Sequence, residues 1–306
     1  METRHLEVLR AVRDRGGVTA AAAAVHLTPS AVSQSLAALQ RSVGPTPLTE
    51  RHGRGLRLTP AGHALADAGA DVLTALARAR AAVDAFAERP TGTVRVALFA
   101  SAAQMLAPGL LTRAATWPGV RVELADEDVS QAAYPALTAE ADVVVAHRPE
   151  DGAAWPAGLV VTPLLREPMD VALPLDHPLA GRTALTPADL VDEAWVAVQE
   201  GFPVAGVLAA VEAAAGAPVR VVQRSNDFHV VEALVAAGHG VSLLPRYTSG
   251  LAAAGRFALV PLVGVRAARR VDALQRPDRA QRRVVALVLA ALVETARGVD
   301  VGSLGR

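Results

Sequence analysis

Leu27-Thr28-Pro29-Ser30-Ala31-Val32-Ser33-Gln34-Ser35-Leu36-Ala37-Ala38-Leu39 carries the pattern from which the rest of the chain can be interpreted. Thr28 is a good N-cap and Pro29 a good first helical residue, so a helix is predicted to begin there. Along it Val32, Leu36 and Leu39 fall at i, i+4 and i+7 and form an inward stripe. Ser30, Ser33, Gln34 and Ser35 are left outside near its N-terminus, and Gly44-Pro45 ends it. Upstream, Leu6, Leu9 and Val12, with Val8 beside them, recur at helical spacing until Gly16-Gly17. Thr19 is expected to cap a second helix, Ala20 to Val25, whose five alanines permit close approach of a neighbour.

A short helix, a tight turn and a helix with a small, uncharged, hydrogen-bonding face meet the needs of a helix-turn-helix. Hydroxyl and amide side chains at the start of its second helix can read base edges in the major groove. An alanine-rich helical hairpin with merely solvated serines has the same spacing. The next residues favour DNA. Short extended segments, 47–51 and 56–59, flank His52-Gly53-Arg54-Gly55, a hairpin tip with two glycines. Arg51, Arg54 and Arg57 on so short a ribbon suit phosphate or minor-groove contact.

The run from His5 to Gly62 resembles the winged helix-turn-helix of LysR-type transcriptional regulators. The matching pieces include Arg4-His5-Leu6, Gly17 to Ala22, Leu27 to Gln34, Leu39, Gly44, Pro47-Leu48, Arg51, Gly53-Arg54 and Leu58 to Gly62. The chain departs from the family at four places, one being the order Pro29-Ser30 where the family commonly has a polar residue before the proline. The usual aromatic is replaced by Thr49, a common arginine by Gln34, and a frequent basic residue by Ala20; base preference and one phosphate contact are expected to differ accordingly. Ser30, Ser33 and Gln34 are expected to read bases and Arg51, Arg54 and Arg57 mainly to hold the backbone, with Thr28 and Pro29 also at the DNA-binding surface.

Composition sets limits on everything else. The 306 residues suffice for about two domains. Alanine fills 66 positions and aromatics only 3%, so the apolar excess is mostly small side chains. Lysine and cysteine are absent, which removes disulfides, thiolate metal sites and cysteine catalysis. Thirty arginines balance thirty acids, yet residues 1–60 hold eight arginines against four acids. A basic head on a mildly acidic body directs any nucleic acid to the head. Met1 to Arg10 has charges without a following apolar run, and Val284 to Val293 is half of a membrane span. A cytoplasmic chain with no membrane partner is expected.

After Pro60, Leu65, Ala68, Val72, Leu76, Ala79, Val83 and Phe86 recur every three or four residues. That is a narrow coiled-coil seam on a helix reaching about Phe86, locally weakened by Gly62 and Gly69. No neighbouring sequence offers it a partner face, so a dimerising linker helix is predicted, as the resemblance also implies. Glu88 to Thr93 then forms a hinge. Beyond it strands and helices alternate: strands at 94–99, 120–124, 142–147, 159–165, 169–173, 195–199, 219–224, 241–244 and 257–263, with Ala273-Leu274 a last one. Helices are predicted at 104–115, 130–140, 204–215, 227–237 and 278–296. Arg166-Glu167-Pro168 reads as a break where the chain changes lobe, returning near Gly264. This βαβ grammar implies a largely parallel sheet. Two lobes joined by two crossovers resemble the periplasmic-binding-protein-like (type 2) effector domain of the same regulators, with Leu234 to Pro245 the closest local match.

The predicted fold is thus an α+β multidomain chain: a winged helix-turn-helix at 1–60, a linker helix at 61–88 and an effector domain at 89–297. Lobe one would comprise 94–164 plus 265–297, lobe two 165–264, and 298–306 a loose tail. Ligands of open α/β sheets gather at the carboxyl ends of strands. Ser101, Asp128 to Ser130, and His147-Arg148 hold such positions in lobe one; Gly201-Phe202-Pro203 and Asn226-Asp227 hold them in lobe two. In the family these are effector positions, so Ser101, Ser130, His147, Arg148, Phe202, Asn226 and Asp227 are candidates. Ser101, Ser130 and Asp227 also suit plain N-caps. His147-Arg148 would favour an anion, and the few aromatics disfavour a large planar ligand. Enzymatic readings find little footing. Gly240-Val241-Ser242-Leu243-Leu244 lacks the second glycine of a nucleophile elbow, and the eight histidines form no metal motif. No cofactor is expected. The expected partners are double-stranded DNA with an inverted repeat, a small-molecule effector, a second copy or a tetramer of the chain, and RNA polymerase. The alternatives are an effector-independent DNA-binding dimer and an enzyme on a binding-protein-like fold.

Overall fold

The computed structural model describes residues 1–53, 55–202, 204–249 and 254–303. Helix α1 (Thr3–Arg15) stops at Gly16, whose φ of 72° suits glycine alone without strain. Helix α2 (Val18–Ala24) begins two residues earlier than predicted. Gly17 occupies the N-cap, Thr19 lies inside the first turn, and no side chain caps this end. In α3 (Pro29–Val43) Thr28 Oγ1 accepts the Ala31 N–H at 3.1 Å, as the Thr-Pro pair predicts. Val8, Leu9, Val12, Ala21, Ala22, Val32, Leu36 and Leu39 close into one small core. At about 1.5–3 kcal/mol per large side chain, this burial binds the three helices together. The wing is the antiparallel pair β1 (Thr49–His52) and β2 (Gly55–Leu58), anchored to that core by Leu48 and Leu58.

Helix α4 (Pro60–Asp84) is capped by Thr59 and ends before Phe86. Its buried face is Gly62, Ala66, Gly69 and Leu73. A Cβ on Gly62 would collide with the Leu48 carbonyl oxygen, and one on Gly69 would sit 3.1 Å from Leu6. The glycines therefore let α4 press against the wing base and α1, contrary to the expectation that the helix has no partner nearby. The predicted seam lies on another face: Val72 is 44% exposed, Val83 72% and Phe86 92%.

In the body, β3 (Gly92–Leu98) pairs in parallel with β4 (Val120–Asp126) and β5 (Val143–Pro149). The long strands β6 (Val160–Leu173) and β11 (Ala268–Gln275) extend the sheet in antiparallel fashion, giving the order β4-β3-β5-β11-β6. The predicted break at Arg166-Glu167-Pro168 is absent; β6 runs straight through it. Glu167 faces Arg269 across the ladder, which holds the strand together there. Pro168, lacking an N–H, sits where β6 leaves β11; from Met169 onward it pairs with β9 (Ser242–Pro245) and from Val171 also with β10 (Ala258–Val260). One strand thus serves both lobes. Lobe two adds β7 (Ala194–Ala197) parallel to β8 (Arg220–Arg224).

Helices cover both sheets. In lobe one α5 (Ala100–Ala114) and α10 (Arg283–Ser303) bury Leu106, Leu110, Val285, Val288 and Leu292 against Val96, Leu98 and Val145. In lobe two α7 (Ala205–Ala215) and α8 (Phe228–Ala236) pack around Trp195, Val171 and Leu244. Three helical predictions need correction. Residues 130–140 form only a 3-10 turn at Gln131–Ala133 and the single turn α6 (Tyr134–Leu137), with Pro135 in its first turn. The closing helix is split into α9 (Pro277–Ala280) and α10, and the latter continues through 298–303, where a loose tail was expected. Residues 304–306 of that tail lie outside the described residues, as does Pro203.

The head is joined to the body by charge. Arg10 Nη1 lies 2.9 Å from Asp278 Oδ2, and Arg276 Nη2 lies 2.5 Å from Asp14 Oδ2, all four side chains 13–14% exposed. Arg15 pairs with Glu140. Arg283 Nη1 donates to the carbonyls of Asp84 and Ala87, holding the start of the predicted hinge against α10.

Candidate functional site

Two of the concave surfaces hold residues singled out in the sequence. The first lies on the head. Thr28, Pro29, Ser30, Ser33 and Gln34 are all exposed at the start of α3. Thr28 Oγ1 is committed to its cap, and Ser33 Oγ donates to the Pro29 carbonyl at 3.0 Å, leaving its lone pairs outward. Ser33, Arg51, His52 and Arg57 line one hollow with the N-terminus of α2 (Gly17 to Ala20), about 550 Å³ in volume. The fold therefore brings the start of α3 and the wing strands to one hollow, although the register sets Arg57 beside Glu50 and Arg51 beside Leu56 on the other face of the hairpin. Arg57 Nε pairs with Glu50 Oε1 at 2.6 Å across the hairpin, whereas Arg51 is exposed. Arg54 lies outside the described residues. His52, not among the candidates, joins the same hollow; its place in the hairpin tip was the available signal.

The second surface is the cleft between the lobes, about 310 Å³, where the carboxyl ends of β3, β4 and β5 meet the start of α8. Ser101, His147, Phe202, Asn226 and Asp227 line it together. Ser130 and Arg148 do not. Ser130 is exposed beside the 3-10 turn and caps nothing with its side chain. Arg148 is turned to Asp272 Oδ2 (3.2 Å) and the Gly152 carbonyl (3.2 Å). Of the three suspected N-caps only Asp227 caps, accepting the His229 N–H at 2.9 Å. Asn226 Oδ1 accepts the Gln199 N–H at 2.8 Å.

The floor of the cleft is Arg269, 1% exposed. Its Nε donates to Glu167 Oε2 at 2.8 Å, and its Nη2 donates to Ser101 Oγ at 2.7 Å. The guanidinium carbon stands 4.9 Å from the Phe99 ring centre and 5.8 Å from that of Phe228. This pair spans the two crossover strands, so it sits where the lobes are hinged. Arg269 was not foreseen, because only Ala273-Leu274 was read as strand. Alternation in Ala268-Arg269-Arg270-Val271 is the signal: one arginine of two neighbours must point inward.

His147 is fully buried among Phe99, Tyr134 and Phe202, with ring centres 4.3–6.0 Å away. Neither ring nitrogen has a hydrogen-bond partner among the described residues. Burial, and secondarily the charge of Arg269, holds its pKa well below the usual histidine range, so the ring is neutral. The expected anionic preference thus loses both its supports: Arg148 faces elsewhere and His147 carries no charge. Aromatic scarcity also fails locally, since three of the five phenylalanines line the cavity.

The class of protein that this fold defines is a winged helix-turn-helix head carried on a two-lobed α/β body with an internal cleft. Residues 3–63 match the family described as bacterial regulatory helix-turn-helix protein, lysR family. Residues 87–297 match the LysR substrate binding domain. The chain belongs to the LysR family of transcriptional regulators. Among its relatives, MetR of Salmonella typhimurium is 33% identical over 195 residues, a match spanning 63% of this chain but only 59% of MetR. TtuA of Agrobacterium vitis is 30% identical over 87% of this chain and 86% of its own length. In fold, the chain is similar to a full-length OxyR variant from Pseudomonas aeruginosa, with a TM-score of 0.69 at 20% identity, covering 97% and 95% of the two chains. It is also similar to full-length CbnR complexed with its target DNA, with a TM-score of 0.52 at 23% identity, covering 97% and 100%.

Proposed function

We propose that this chain regulates transcription from the cytoplasm as a dimer, or a pair of dimers, bound to an inverted repeat, and that a small molecule in the cleft changes its grip on that DNA. The observation that carries the proposal is the joint hollow of Ser33, Arg51, His52 and Arg57 beside the exposed Ser30 and Gln34. Ser30, Ser33 and Gln34 would read base edges; Arg51, Arg57 and Arg54 would neutralise phosphates. The exposed seam of α4 supplies a second head, and two heads related by a two-fold axis call for a palindromic site. Contact with RNA polymerase follows from the role rather than from any one surface. No catalytic step belongs to this reading: Ser242, 3% exposed, donates its hydroxyl to the Val196 carbonyl at 2.7 Å and holds β9 to β7.

The test is a selected-sequence binding assay on the full chain. Gln34→Ala is expected to relax preference at one base pair, at a cost of about 1–3 kcal/mol there. Arg51→Ala is expected to weaken all sequences alike and to flatten the salt slope by roughly one unit. Unchanged preference in Gln34→Ala would overturn the assignment of α3 as the reading helix.

A further inference from the structure

The charge of the cleft runs opposite to the sequence expectation. Among the described residues its lining carries the exposed carboxylates Asp126, Asp128 and Asp227, the buried and partnered Glu232, and one guanidinium, Arg269. That guanidinium is already matched by a fifth carboxylate, Glu167, with both Nε and Nη2 directed at Oε2. Among the described residues the other titratable groups on the lining are His147, which is neutral, and His229. Among the described residues neither Asp126 nor Asp128 has a cationic partner within ion-pair reach.

Asp128 reports the resulting tension. Its carboxyl is pushed up chiefly by loss of water; the charge of Arg269 pulls it back down, and Asp126 and Asp227 add smaller upward pushes. An acidic cluster alone would be no more than a solvated rim. Two further features make it a binding site. Phe99, Phe202 and Phe228 line the cavity beside it, and the faces of Phe99 and Phe228 already hold a guanidinium, so these rings tolerate a cation. His147 lines the same cavity fully buried, with both ring nitrogens unpartnered; a neutral imidazole there offers one donor and one acceptor to whatever fills the space.

We infer that the cleft takes a small organic cation, a protonated primary amine on a hydrocarbon body, with the ammonium among Asp126, Asp128 and Asp227 and the body against Phe99, Phe202 and Phe228. The inference rests on the cleft being the effector site, and it names the class of effector. The ammonium replaces the repulsion between carboxylates with attraction. It also touches β4 of lobe one and the start of α8 in lobe two at once, so it binds the closed arrangement more tightly than the open one.

Calorimetry and thermal shift on the full chain test this with three isosteric series: 2-phenylethylamine and butylamine, 2-phenylethanol and butanol, 3-phenylpropionate and butyrate. The amines are expected to raise Tm and to bind measurably, the alcohols and acids to do neither. Asp128→Asn and, separately, Asp126→Asn are expected to lower amine affinity at least about tenfold. Acids that bind while amines do not, with binding lost in Ser101→Trp, would overturn the charge class and leave the cleft as effector site. Silence of all three series overturns the inference. Equal amine binding by parent and both asparagine variants would place the amine elsewhere and overturn it too.

Discussion

His147 shows how a single side chain can be placed correctly by its sequence position and misjudged in its chemistry. Its place after the third strand of lobe one put it at the cleft. The sequence could not show that Phe99, Tyr134 and Phe202 would surround it, and that enclosure decides its charge. Since its folded pKa lies well below the ordinary 6.5, the folded state stays unprotonated where the unfolded chain takes up a proton. Its contribution to stability is therefore complete above about pH 6.5 and is lost as the pH falls toward the folded value. Between pH 7.5 and 5.5 one such group removes stability on the order of 1 kcal/mol. Denaturant unfolding at the two pH values is expected to show His147→Leu losing less than the parent by that amount. Equal losses would mean that His147 ionises freely in the fold.

At the level of elements, α3 was legible throughout because cap, proline and apolar stripe agree within fifteen residues. The two crossover strands were not. Pro168 in the middle of β6 imitates a boundary, and its tolerance depends on a change of partner strands that no local pattern reveals. Helix α4 was half legible. Gly62 and Gly69 look like weak points in a sequence and prove to be contact points with Leu48 and Leu6. What remains on the outer face, Val72 above all, is an apolar surface with no cover from its own head. Replacing Val72 and Leu76 by Asp is expected to give a folded monomer in sedimentation, with DNA affinity reduced at least about tenfold through loss of the second head. A variant that sediments as the parent does would remove α4 from the dimer contact.

The whole molecule couples two sites through few connections. The lobes share β6, beside which β11 begins, and the buried Glu167–Arg269 pair joins these two strands next to Ser101 and the cleft. Breaking such a buried pair by removing one partner costs about 3–5 kcal/mol, because the other charge is left buried and uncompensated. The head is tied to lobe one by Arg10–Asp278, Arg276–Asp14 and Arg15–Glu140, contacts that stand beside the covalent link through α4. The overall charge of zero concealed all this; only its division between head and cleft carries information. The most direct measurement is the affinity of the full chain for its selected inverted repeat, with and without a saturating amine that binds the cleft. A change of about 5- to 150-fold, corresponding to about 1–3 kcal/mol of coupling, and its disappearance in Ser101→Trp are predicted. Identical affinity and identical DNA bending with the cleft filled and empty would contradict the account.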